Sequence, residues 1–354
     1  MYSRKTTRQV KVGKYFMGGG ADVLIQSMLN VPAHDFEGNV AQAKALEAAG
    51  CEVIRVSVPD KETVKLIPLL KEAVAAPIVA DIHFDYRLAL ESVAAGVDKV
   101  RINPGNIGDE GNVKLVADAC RNAGVPIRIG VNSGSVEKGI LARFGGPTPE
   151  ALVERGKYHI SLLEKYDFSD IVLSLKSSDT QTMYDTYVLA AESVPYPLHL
   201  GVTEAGTAHM GLVRSAAGIG GLLLRGIGDT IRVSLTDDPV KEVAAARDIL
   251  AATGVRTEGA RIVSCPTCGR TKVDLIGLAN KAEEALQGFK KNITVAIMGC
   301  AVNGPGEARE ADIGIAGGDG CGLIFKKGEI IRKVPQDELF SELMKEIKCE
   351  YGEW

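Results

Sequence analysis

The sequence predicts an α/β protein in two parts, an N-terminal (β/α)8 TIM-type barrel over residues 1–254 and a small α+β unit over residues 255–354. Three observations carry this expectation. Short apolar runs alternate with amphipathic stretches eight times over roughly 240 residues, the pattern of strand–helix repeats on a parallel sheet. After Pro239 the alternation gives way to closely spaced strands and glycine-rich turns. Within the first part, polar residues collect at the C-terminal ends of the apolar runs, where barrel enzymes place their chemistry.

The eight runs are residues 23–28, 53–58, 78–82, 99–103, 127–131, 171–175, 198–202 and 231–235, with helical patterns between them such as 39–49, 63–75, 86–95 and 112–122. Periodicity does not show closure, so a doubly wound sheet is the structural alternative. Residues 240–252 read as an amphipathic helix packed beneath the barrel, and the boundary falls within 252–259. The second part reads as a strand at 261–264, a Cys-x-x-Cys turn, a helix at 275–289, a strand at 294–298 and a loop bearing Cys300. A strand at 312–316, a hairpin of 323–326 with 329–334, and a last helix at 337–349 follow.

Bulk properties narrow the function classes. The formal charge of −4, with both signs interspersed and no long basic run, argues against nucleic-acid binding. No uninterrupted apolar stretch of about 18 residues exists, so no membrane span is expected. The basic segment 1–14 is not followed by an apolar signal core, which places the protein in the cytoplasm. Seven cysteines, an odd number without the dense spacing of a disulfide scaffold, favour metal binding by the clustered ones.

The strand ends carry Arg55 and Ser57; Asp81 and His83; Arg101 and Asn103; Arg128 and Asn132; Ser174 and Lys176; His199, Thr203 and Glu204; Arg232 and Ser234. Strand residues two apart point the same way, so these pairs converge on the barrel interior. Only Asp81 and Glu204 are obvious local anions. Burying this many cations is costly unless an anion balances them, and the arginine fork suits phosphate. The competing arrangement pairs individual arginines with carboxylates on surrounding helices. Two glycine-rich segments, Asn103-Pro-Gly-Asn-Ile-Gly108 and Gly130-Val-Asn-Ser133-Gly-Ser135, add backbone amides and Ser/Asn hydrogen bonds for an anion. Glu204 is a candidate proton donor; its alternative is a plain ion pair with Arg232 or Lys176. His83 and His199 fit substrate hydrogen bonds better than metal ligation.

Cys265-Pro-Thr-Cys268 and Cys300 form a moderately specific metal signal. Soft thiolates suit an iron–sulfur cluster, while Cys321 or Cys349 would complete a four-cysteine zinc site. Glu307, seven residues past Cys300, would instead give a harder, displaceable oxygen ligand. Cys51, Cys120 and Cys349 read as inert.

These motifs together identify a resemblance. The stretches Val100-Arg-Ile-Asn-Pro-Gly-Asn-Ile-Gly108, Arg128-Ile-Gly-Val-Asn-Ser-Gly-Ser135, Leu200-Gly-Val-Thr-Glu-Ala-Gly206, Gly226-Ile-Gly-Asp-Thr-Ile-Arg-Val-Ser234, Cys265-Pro-Thr-Cys268-Gly and Gly299-Cys300 through Glu307 resemble the 4-hydroxy-3-methylbut-2-enyl diphosphate synthase family. The resemblance implies a barrel followed by a domain like the cluster domains of sulfite and nitrite reductases. It implies a [4Fe–4S] cluster on Cys265, Cys268, Cys300 and Glu307, with Cys321 not a ligand, and Asn303 in the same loop among the substrate contacts. It also implies a ferredoxin or flavodoxin as electron donor. The assembly it implies is a homodimer in which the cluster domain of one subunit caps the barrel of the other. The implied reaction is reductive ring opening of 2-C-methyl-D-erythritol 2,4-cyclodiphosphate in isoprenoid biosynthesis.

Overall fold

The computed structural model describes residues 4–135, 138–257, 259–301, 306 and 308–353. The chain divides into two compact units, Met1–Arg256 and Thr257–Trp354.

In the first unit a short antiparallel hairpin, β1 (Val10–Val12) and β2 (Tyr15–Met17), precedes eight parallel strands. These are β3 (Leu24–Met28), β4 (Val53–Ser57), β5 (Ile78–Asp81), β6 (Lys99–Ile102), β7 (Ile127–Asn132), β8 (Ile171–Lys176), β9 (His199–Leu200) and β10 (Thr230–Ile231). Their order is β8-β7-β6-β5-β4-β3-β10-β9, and a parallel bridge between Leu173 and Leu198 joins the two ends. The sheet therefore closes into a barrel, and the doubly wound alternative fails.

Outward-facing Ile54, Ile78, Ala80, Val100, Ile127 and Ile129 pack against the helices in one large core. Five of those helices open on an aspartate that caps a backbone N–H: Asp35, Asp85, Asp109, Asp179 and Asp238. Each such cap is worth about 1 kcal/mol. The helix Pro239–Ala252 does not lie beneath the barrel. It packs along β3 and beside the helix Phe36–Ala48, as the last helix of the ring. The floor is instead the β1–β2 hairpin, whose Val10, Val12 and Met17 cluster with Leu24, Val53, Val79 and Val172 from inside the strands.

Two strands are shorter than their apolar runs. β10 stops at Ile231 because the Leu235 amide donates to the Glu242 side chain at 3.1 Å and the Thr236 amide to Gly206 O at 3.0 Å. β9 keeps only His199 and Leu200, while the Thr203 amide turns to Ser177 O.

The ladder registers set the inward side chains in tiers drawn from alternate strands. Above the floor come Lys99 and Thr230 with Val53 and Val172, and then Gln26, Arg128 and His199 with Val79. Arg55, Arg101 and Arg232 follow with Ser174, then Met28 and Asp81 with Gly130 and Gly201. Asn103, Lys176 and Ser234 stand at the rim with Ser57.

The second unit is a five-stranded sheet, β11 (Ala260–Ser264), β12 (Ile293–Met298), β13 (Ile313–Gly317), β14 (Cys321–Lys326) and β15 (Glu329–Pro335), in sequential order. β11, β12 and β13 run parallel; β14 and β15 return antiparallel. Ile293, Val295, Ile297, Ile313, Ile315 and Ile324 bury one face under the helices Leu275–Ala285 and Leu339–Tyr351. No helix among the described residues is long and apolar enough to cross a membrane.

Candidate active site

The barrel mouth opens into a cavity of about 270 Å³ lined by Met28, Arg55, Asp81, His83, Arg101, Asn103, Asn106, Arg128, Asn132, Ser174, Lys176, Thr203, Arg232 and Ser234. Twelve of the side chains expected at the strand ends from sequence are in this wall; Met28 and Asn106 join them. Asp81 is the hub. Its Oδ1 accepts from Arg101 Nη1 at 3.0 Å, and its Oδ2 lies 3.7 Å from Arg55 Nε and 3.8 Å from His83 Nε2. Burial works to raise the Asp81 pKa, but Arg55 and Arg101 outweigh it and hold the carboxyl below the usual range.

Arg232 is held from outside the barrel. Glu242, only 3% exposed, accepts from Arg232 Nη2 at 3.2 Å and Nε at 3.3 Å, and from Ser27 Oγ at 2.8 Å. One arginine thus does pair with a helix carboxylate. Met28 Sδ stands between two guanidinium groups, 2.7 Å from Arg55 Nη2 and 3.7 Å from Arg232 Nη1. Two glycines make room for the cations: a Cβ on Gly130 would sit 2.5 Å from Arg101 Nε, and one on Gly201 would sit 2.7 Å from Lys176 Nζ.

Arg55, Arg101, Arg128, Lys176 and Arg232 face two carboxylates, Asp81 and Glu242. Burial, opposed by Asp81, brings Arg55 down to about 10. Burial, reinforced by Arg232 and Arg55, pushes Lys176 well below the ordinary lysine value. Nε and Nη2 of Arg128 have no partner among the described residues. The cavity has surplus positive charge and open donors, which is the chemistry of an anion site.

Three other expected residues sit elsewhere. His199 is fully buried two tiers below Asp81, does not line the cavity, and both its ring nitrogens lack partners among the described residues. Its short strand leaves Thr203 and the loop beyond, not His199, at the mouth. Ser133 is half-buried in the turn after β7 and outside the cavity wall; the backbone of Ser135 ends that turn. Glu204 is exposed, follows the cavity residue Thr203, and takes a left-handed backbone with φ 53°. Arg232 pairs with Glu242 in place of Glu204, and Lys176 has no carboxylate partner among the described residues. Arg214 Nη1 donates to Ala205 O at 3.0 Å and fixes the Glu204 loop. Asn303 and Glu307 lie outside the described residues.

In the second unit, Cys265 and Cys268 leave the end of β11, and Cys300 follows β12. Ser264 pairs with Ile297, so both loops leave the sheet at the same end. The Gly299 amide donates to Cys265 Sγ at 3.3 Å, and the Cys268 amide to Thr271 Oγ1 at 3.1 Å. The Arg270 amide, then its side chain, hold the exposed Cys268 thiol below its ordinary value. Amide donors aimed at sulfur suit thiolate ligands of iron. Cys321 opens β14, two strands from β12. Among the described residues no three Cys, His, Asp or Glu side chains converge at single-ion distance. Three thiols on two adjacent loops at one end of the sheet, with an amide donor on sulfur, are a donor set that a cubane takes. Burial pushes the Cys51 and Cys120 thiols up to about 12. Cys349 is exposed on the last helix.

Comparison with known proteins decides the family. The GcpE TIM-barrel domain matches residues 7–247 and the GcpE protein C-terminal domain matches residues 261–349. The chain belongs to the GcpE family. A GcpE relative from Caldanaerobacter subterraneus, named 4-hydroxy-3-methylbut-2-en-1-yl diphosphate synthase (flavodoxin), is 56% identical over 98% of this chain and 97% of its own. One of the same name from Clostridium perfringens is 55% identical over 98% of this chain and 99% of its own. Among solved structures, the dihydropteroate synthase of Yersinia pestis is similar with TM-score 0.51 and 15% identity, covering 71% of this chain and 100% of that one. The 3-dehydroquinate dehydratase of Geobacillus kaustophilus is similar with TM-score 0.51 and 13% identity, covering 70% of this chain and 98% of that one. These likenesses show only that the GcpE barrel shares their fold.

Proposed function

We propose that the protein converts 2-C-methyl-D-erythritol 2,4-cyclodiphosphate to (E)-4-hydroxy-3-methylbut-2-enyl diphosphate, consuming two electrons and releasing water. The observation that carries this reading is the cation surplus of the barrel mouth, in a chain 56% identical to a relative named for that product.

The chain's own groups have distinct tasks. Arg55, Arg101, Arg128, Lys176 and Arg232 hold the two phosphoryl groups, whose oxygens match the guanidinium forks. Asp81 keeps Arg55 and Arg101 aimed inward, and Glu242 does the same for Arg232. Asn103, Asn132, Thr203, Ser234 and His83 offer hydrogen bonds to the sugar-derived hydroxyls and phosphoryl oxygens. Glu204 donates the proton that lets the hydroxyl leave as water; its left-handed backbone is the kind of strain found at working sites. Ser133, Ser135 and Asn303 complete the expected substrate contacts, and His199 acts from below rather than by touching substrate.

Cys265, Cys268, Cys300 and Glu307 would hold a [4Fe–4S] cluster, which when bound supplies one-electron transfer and a Lewis-acidic iron. The donor is a flavodoxin, as in the relatives' names, or a ferredoxin. Because the anion cavity and the thiols belong to different units, a homodimer in which one subunit's thiol-bearing unit serves its partner's cavity suits this reading. A cytoplasmic setting, without nucleic-acid or membrane partners, suits it as well.

The test is steady-state turnover. Anaerobically reconstituted protein, given reduced flavodoxin and the cyclic diphosphate, should form the linear diphosphate. Cluster-loaded protein that leaves the cyclic diphosphate unconsumed would contradict the assignment.

A further inference from the structure

Beneath the arginine tier lies a layer that the proposed reaction does not use. Lys99 is 0% exposed on β6, inside the barrel and above the hairpin floor. Its side-chain nitrogen meets Met17 Sδ and Gln26 Oε1, each at 3.5 Å, and no carboxylate pairs with it among the described residues. Arg128 and His199 stand in the tier above, and Arg55 and Arg101 in the next. The nearest inward carboxylate, Asp81, is already engaged by those two arginines. Thr230 and Gln26 bring no charge. Side-chain atoms of Gln26, Arg128, His199 and Thr230 are buried with almost no accessible surface and no partner among the described residues. The layer is thus too closely packed to admit a counter-ion. A lysine cannot keep an ammonium charge in such a place unless an anion is brought near.

We propose that Lys99 is an uncharged amine in the free protein and takes up a proton when the dianionic cyclic diphosphate fills the cavity above. Ligand binding and charging of the barrel floor are then one event. The inference rests on the substrate reading given above. Burial, then the fields of Arg128 and Arg55, push Lys99 well below the ordinary lysine value, in keeping with this geometry. A dianion among those arginines cancels the field that opposes protonation. Charge effects persist over several tiers in an interior of low effective dielectric. The proton comes from solvent and binds Nζ; no bond to the ligand forms or breaks.

The cyclic diphosphate is a suitable probe because each of its phosphoryl groups keeps one strongly acidic hydroxyl and does not titrate near neutral pH. Calorimetric binding to the oxidised, cluster-loaded protein, without reductant, is measured in buffers of different ionisation enthalpy from pH 7 to 9. The wild type should take up about one proton per site more than Lys99→Met, any remainder belonging to groups at the cavity mouth, and its affinity should weaken by up to about tenfold more per pH unit as pH rises. Lys99→Met should lose most of that uptake and flatten the pH dependence, and Lys99→Gln, which keeps a polar group beside Gln26, should do the same. Binding by the wild type without proton uptake overturns the Lys99 proposal and leaves the substrate reading intact. Uptake that both substitutions leave undiminished also overturns it. Failure of the wild type to bind overturns the substrate reading and the proposal with it.

Discussion

Glu242 reaches through the barrel wall to grip Arg232, taking Nη2 at 3.2 Å and Nε at 3.3 Å. The same carboxylate accepts from Ser27 Oγ and the Leu235 amide, so it ties β3, the end of β10 and the last helix of the ring to one cavity cation. Breaking a buried pair of this kind costs about 3–5 kcal/mol, because the surviving charge is left without compensation. Glu242→Ala should lower the urea midpoint of the barrel's unfolding accordingly and weaken diphosphate binding. Glu242→Gln, which keeps the shape, should lose less stability.

The two inward glycines are predicted to act on binding more than on folding. A methyl at Gly130 would intrude on the flexible side chain of Arg101, whereas one at Gly201 would meet Lys176 and also the backbone carbonyl of Arg232 at 2.8 Å, which yields less readily. The cost includes displacement of a phosphate-binding cation, with overpacking strain of about 1–3 kcal/mol. Gly130→Ala should fold and load iron normally, and Gly201→Ala should do so with some loss of stability. Their KM for the cyclic diphosphate should rise roughly tenfold or more, since 1.4 kcal/mol is a factor of ten. An unchanged KM in both would show that these cations do not bind substrate.

Acid should destabilise the barrel through a residue far from the site. His159, fully buried on the helix Pro149–Glu164, has no partner for either ring nitrogen among the described residues. Burial, then Arg155, brings it from 6.5 down to about 3. Below about pH 6.5 the unfolded chain binds a proton that the folded chain refuses, so stability falls as pH drops from there toward 3, by up to about 1.4 kcal/mol per pH unit. At neutral pH the imidazole is neutral in both states and contributes no slope. His159→Leu should match or exceed wild-type Tm at pH 7.5 and lose less Tm between pH 6.5 and 5. Parallel Tm curves for the two proteins would remove His159 from the account.

The thiols should divide by position. Single serine substitutions of Cys265, Cys268 or Cys300 should abolish retention of about four irons per chain on anaerobic reconstitution, as a cubane requires. Cys321→Ser should retain them. Iron and acid-labile sulfide analysis checks this directly, and loss of iron in Cys321→Ser would make it the fourth ligand in place of Glu307.

Much of the site was legible because a barrel strand writes its inner face at every second position. Arg55, Arg101 and Arg128 stand out in apolar runs, and closure of the sheet brings them to one cavity with Asp81. What escaped depended on partners distant in sequence. Glu242 looks like an ordinary polar position on an amphipathic helix until the barrel sets it behind Arg232. Lys99 looks like the polar start of a strand, yet the hairpin of Val10–Met17 covers that end and buries it. His199 stands near the start of its run rather than the end, so the ladder sets it two tiers below Asp81 and not at the mouth. Met28 carries no charge to mark it, and only the structure puts its sulfur between two guanidinium groups.

The central claim is that electrons stored at the three-cysteine site are spent on a ligand bound by the arginine cavity. An anaerobic single-turnover experiment tests it most directly. Reconstituted protein with its cluster reduced is mixed with the cyclic diphosphate and one further equivalent of reductant per cluster to supply the second electron, while the cluster's absorption and the linear product are followed together. The account predicts that reduced cluster disappears in step with product formation, two electrons per product, and that Arg101→Met slows both without altering the iron content. A reduced cluster that persists unchanged with the cyclic diphosphate bound would contradict it.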